Sequence, residues 1–133
     1  MARSDPSLPT RAAGEPRLRQ QLWALHAYES VASVGKDQRK EYGIAVNDLG
    51  ANVLRSGLAA AMAALERKRD RGGKLLLEHL ATAGISGLEH ATGQDLPDRV
   101  RRLDLDAYLL ATREVLQLAT WFRRAVQATF EES

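Results

Sequence analysis

Residues Glu41 to Leu65 read EYGIAVNDLGANVLRSGLAAAMAAL. Tyr42, Ala45, Val46, Leu49 and Val53 recur at spacings of three and four, which places them on one face of a helix. After Ser56-Gly57 the pattern resumes with Leu58, Met62 and Leu65. The stretch therefore predicts two helices joined at Ser56-Gly57. Ser56 is placed to cap the second helix, and Gly57 to take the left-handed backbone that ends the first. The alanines among residues 59–64 make the second helix thin enough for close neighbours. Such a hairpin belongs at the centre of a small helical bundle.

The rest of the composition agrees with helices. The chain has 133 residues, enough for one domain with one core, and only 5% aromatic residues. It has no cysteine, which excludes disulfides, thiolate metal sites and cysteine nucleophiles. No apolar run approaches the roughly 20 residues of a membrane span, and the first residues lack the apolar core of a signal peptide. A cytoplasmic protein with no membrane association is the expectation. The net charge of +2 argues only weakly for a nucleic-acid partner. Arginine outnumbers lysine, which suits bidentate phosphate contacts but also follows from a GC-rich coding sequence.

Working outward, Pro6, Pro9 and Gly14 mark residues 1–14 as a flexible tail, leaving 15–133 as the bundle domain. The first helix is expected near Glu15-Pro16, with Leu18, Leu22, Leu25, Tyr28, Val31 and Ala32 as its inward stripe. Trp23 lies off that stripe and so meets a second helix or a partner. Asp37 is placed to cap the next helix, with Lys36, Arg39 and Lys40 clustered at its start. Cations there oppose the helix dipole, which favours an external anion or simple solvation. Arg55 adds a cation near the end of the same helix. The third helix runs on to about Arg71, and Gly72-Gly73 interrupts it. A fourth spans Lys74 to about Thr82, Ile85 and Leu88 pin a looser segment, and Pro97 opens a short helix.

The last helix begins near Asp104 and reaches about Glu131. Tyr108, Ala111, Thr112, Val115, Ala119, Phe122, Val126 and Phe130 gather on one side, and Arg113, Gln117, Thr120, Arg124 and Gln127 on the other. Leu110 and Trp121 lie three turns apart beside the polar stripe, facing another helix or a partner protein. The whole chain is thus expected to be all-α, one bundle of five or six helices.

The arrangements that carry catalysis are missing. His26, His79 and His90 lie in separate segments without zinc-ligand spacing, and there is no P-loop, dinucleotide fingerprint or nucleophile elbow. Asp98, Asp104 and Asp106 read as helix-start residues. No catalytic residue, metal site or cofactor is assigned, and an enzyme is not expected.

The central hairpin, followed by Tyr108, Thr112-Arg113-Glu114-Val115-Leu116 and Trp121-Phe122-Arg123-Arg124-Ala125, resembles the small subunit of type III-B CRISPR effector complexes, the Cmr small-subunit family. The resemblance runs from about Leu18 to Phe130, helix by helix. It implies a non-catalytic helical brick, several copies of which stack as an inner filament along the backbone subunits of a guide-RNA complex and line the channel for target RNA. Its partners would be further copies of itself, other effector subunits, guide RNA and target RNA. The basic pair Arg123-Arg124 carries over to the RNA face. Arg113 shares a line with Arg124, and Lys36, Arg39, Lys40 and Arg55 are added from the residue pattern. Trp23, Leu110 and Trp121 are the candidate protein contacts. A small subunit of a type III-A or type I effector, and an adaptor that binds no nucleic acid, remain alternatives.

Overall fold

The computed structural model describes residues 7–130, with side chains from Leu18 onward. Six α-helices follow in order: α1 (Ser7–Ala32), α2 (Arg39–Ser56), α3 (Leu58–Arg67), α4 (Arg71–Ala81), α5 (Leu96–Arg101) and α6 (Leu105–Phe130). A 3₁₀ turn, Lys36–Gln38, precedes α2, and no strand occurs among the described residues. Among the described residues the fold is an all-α bundle of six helices, where five or six are expected.

Helices α2 and α6 form its spine. They run antiparallel: Gly43 sits beside Val126 and Phe130, Gly50 beside Ala119, and Gly57 beside Tyr108. Helix α1 packs on another side of α6 and runs in the same direction, since Gln20 meets Gln117 and His26 meets Phe122. The core holds Tyr42, Leu49, Leu58, Met62, Leu76, Leu80, Leu118 and Phe122, all essentially inaccessible to solvent. Leu49, Leu58, Met62, Val115 and Phe122 are buried as their spacing predicts. Ile85 and Leu88 are also buried and anchor the segment between α4 and α5.

Local expectations fail at several points, each for a physical reason. The first helix starts at Ser7 rather than Glu15, so residues 7–14 of the expected tail carry helical backbone; residues 1–6 lie outside the described residues. Its inward face is Trp23, Ala27 and Val31, while Leu18, Leu22, Leu25 and Tyr28 are exposed. Trp23 is 5% exposed and belongs to the core, so it meets helices of its own chain rather than a partner. Two apolar stripes compete on α1, and polar contacts to α6 select the one carrying Trp23.

Neither Asp37 nor Ser56 makes a side-chain cap. No side chain caps α2 or α3 from its N-cap position. Gly57 does take a positive φ, 95° with ψ 163°, a region that side chains with a Cβ rarely enter. Gly72-Gly73 does not break the chain but lies in the first turn of α4, where Asp70 caps Gly73 at 3.0 Å. A Cβ on Gly72 would lie 2.5 Å from the backbone of Glu41 and Tyr42, so glycine is what lets α4 cross α2 this closely.

Candidate nucleic-acid interface

The outer side of α6 follows from its inner side. With Ala111, Val115, Leu118, Phe122 and Ala125 buried, Arg113, Thr120, Arg124 and Gln127 are left exposed. At about 100° per residue, Arg113, Thr120 and Arg124 fall on nearly one line. The two arginines of that line form no ion pair among the described residues, which leaves them open to phosphate. The Arg124 guanidinium rests 5.2 Å over the Trp121 ring, which orients it without neutralising it.

Adjacent helical residues diverge by about 100°, and this splits the Arg123-Arg124 pair. Arg123 turns from the ridge toward α2. There it closes one end of a groove of about 540 Å³ lined by Val46, Gly50, Ala51, Leu54, Leu116 and Ala119, with polar Asn47 and the ridge residue Thr120 at its edge.

The antiparallel packing brings the start of α2 to the end of α6. Lys36, Arg39 and Lys40 therefore surround a hollow of about 400 Å³ with Phe130, and the Arg39 guanidinium lies 5.0 Å over the Phe130 ring. Sequence proximity alone groups the three cations; Phe130 joins them only through the fold, because it is distant in sequence. Arg55 stands at the opposite end of α2, exposed and bonded to Asn52 at 3.1 Å, and does not join this cluster.

Other arginines are committed within the chain. Arg99, Arg101 and Arg102 pair with Asp95, Asp98 and Glu66. The Arg102 guanidinium and its neighbour Arg101 hold the Asp98 carboxyl below the usual carboxylate range. Arg19 pairs at 3.2 Å with Glu114, a carboxylate only 6% exposed that also accepts the Ser86 N–H and hydroxyl, each at 2.8 Å. Glu114 stands three residues after Ala111 and four before Leu118, and a single acidic residue within that buried stripe is the signal that marks it.

The candidate protein contacts divide. Leu110 is exposed, whereas Trp121 is half-buried and donates its Nε1–H to Gln20 at 2.8 Å. Inside the bundle, Tyr42 and His79 Nδ1 share a hydrogen bond of 2.7 Å, and His26 Nε2 donates to the His79 carbonyl at 2.7 Å. Burial, aided by His26, lowers the His79 imidazole from 6.5 to about 4. Burial also pushes the Tyr42 phenol upward. These bonds tie α1, α2 and α4 together, which gives the three rings a structural role. Among the described residues no helix is long and apolar enough to cross a membrane, and no group of three or more His, Asp or Glu is placed to hold a metal ion.

Comparison with known proteins matches residues 19–129 to the model of a family described as CRISPR-associated protein (Cas_Cmr5). A Thermus thermophilus protein named CRISPR system Cmr subunit Cmr5 is 36% identical over 117 residues, covering 87% of this chain and 99% of the relative. The crystal structure of a CRISPR-associated Cmr5 family protein from the same organism superposes with a TM-score of 0.71 at 35% identity, covering 82% of this chain and 97% of that one. The chain belongs to the Cmr5 family of CRISPR-associated proteins.

Proposed function

We propose that this chain is the non-catalytic small subunit of a type III-B CRISPR (Cmr) effector complex acting in the cytoplasm. Several copies stack beside the backbone subunits and present basic surface to the target RNA and its duplex with the guide. The observation that carries membership of the complex is the near full-length similarity to a protein named as a Cmr subunit. The RNA contact is supported by the α6 ridge, where Arg113 and Arg124 lack carboxylate partners among the described residues. Lys36, Arg39 and Lys40 extend the basic surface at the end of α6. Contacts of this kind go to phosphates and carry no sequence information, as a subunit serving any target requires. Each copy engages few phosphates, so affinity comes from several copies together. Cleavage and other chemistry fall to different subunits.

The test is affinity purification of the tagged chain from its native host, with identification of co-purifying proteins and sequencing of bound RNA. The expected result is a set of CRISPR backbone subunits with repeat-derived guide RNA. Protein partners without RNA would make the chain an adaptor. A type III-A or type I subunit set would move it to another effector.

A further inference from the structure

We propose that the exposed apolar stripe of α1 seats in the α2–α6 groove of a second copy, so that copies join head to tail. This rests on the reading that copies of the chain stack, and it assigns the two faces that do so.

The stripe comprises Leu18, Leu22, Leu25 and Tyr28, at spacings of four, three and three. It points away from the core, which α1 reaches through Trp23, Ala27 and Val31, and Leu22 and Leu25 are 56% and 60% exposed. The bundle gains nothing from this second apolar side, and contiguous exposed apolar surface marks an interaction site.

The groove has the complementary form. Its floor is short because Gly50, Ala51 and Ala119 carry almost no side chain; a Cβ on Gly50 would come within 3.8 Å of the Ala119 Cβ. Leu54 and Leu116 make apolar walls, and Leu54 is 76% exposed. A row of leucines from another helix fits such a slot.

Charge and spacing select the occupant. Seven residues separate Leu22 from Glu29, and seven separate Leu116 from Arg123. Each interval is about 10 Å along its helix. Setting Leu22 of one copy against Leu116 of another, with the helices running in the same direction, brings Glu29 to Arg123. Among the described residues neither has an ion-pair partner within its own chain. The stripe and the groove are different surfaces of one chain, so the contact is heterologous and repeats without closing on itself unless rotation closes a ring. Arg123 then holds the neighbouring copy, while Arg124 and Arg113 remain on the ridge.

The chain contains no cysteine, which makes the contact accessible to directed cross-linking. A chain carrying both Glu29→Cys and Arg123→Cys is assembled into the effector complex and treated with a short bismaleimide. The expected result is a ladder of dimers, trimers and higher species, with no dimer from either single substitution. In parallel, Glu29→Arg or Arg123→Glu alone should reduce the copies per complex, measured by native mass, and the two together should restore them. Several copies per complex without a ladder, or a dimer formed by Glu29→Cys alone, would overturn the assignment of faces. A single copy in the unsubstituted complex would overturn the stacking reading itself.

Discussion

The Tyr108 hydroxyl accepts the Ala59 amide N–H at 2.9 Å, so α6 caps the start of α3 across 49 residues of sequence. Ala59 is the second residue of α3, an amide left unpaired by the helix itself. The bond also fixes the Gly57 corner, where Tyr108 Oη lies 3.4 Å from the position a Cβ would take. Tyr108→Phe keeps the ring and removes the cap. It should cost about 0.5–2 kcal/mol in denaturant unfolding, the range for losing a side-chain cap. Ser56→Ala should change stability little, because Ser56 makes no cap.

Phe122 is inaccessible to solvent and meets the rings of both His26 and His79. Phe122→Ala should lower stability by about 3–5 kcal/mol, through lost burial and the cavity left behind. An unchanged thermal midpoint would contradict its place in the core.

Glu114 binds the 83–95 segment to α6 through Ser86, and α1 through Arg19. Glu114→Ala removes a charged acceptor from the part-buried Ser86 N–H and hydroxyl and should cost about 1–3 kcal/mol. The effect should appear locally as faster amide exchange around Ser86, with α2 and α3 less affected.

The lowered pKa of His79 makes stability depend on pH. Between about 4 and 6.5 the unfolded chain binds a proton that the folded chain excludes. Stability from this group is therefore complete above about pH 6.5 and declines as pH falls toward 4. The ring is half-buried, so the decline should be on the order of 1–2 kcal/mol, less than the full shift implies. Urea unfolding at pH 7 and pH 4.5 measures it. His79→Gln should flatten this part of the profile.

Much of the fold is legible because its helices are strongly amphipathic. Leu49 and Val53 on α2, and Leu58 and Met62 on α3, each repeat after four residues, and a bundle must bury both faces. Helix α1 defeats the same rule because two stripes satisfy it. Its orientation is set by Gln20, which bonds both Gln117 and Trp121 from far along the chain. The Tyr108 cap and the close crossing at Gly72 are likewise tertiary, whereas Ser56 and Gly72-Gly73 invite local explanations. In the candidate interface, the line of Arg113 and Arg124 follows from helical periodicity alone. The grouping of Phe130 with Lys36, Arg39 and Lys40, and the divergence of Arg123 toward α2, depend on how α2 meets α6.

The most direct measurement is target-RNA affinity of the assembled complex as a function of salt, with Arg113→Ala and Arg124→Ala combined in this subunit. The expected result is an intact complex, weaker binding and a shallower salt dependence, since fewer phosphates are neutralised per copy. Unchanged affinity and salt dependence in an intact complex would show that the α6 ridge does not face RNA.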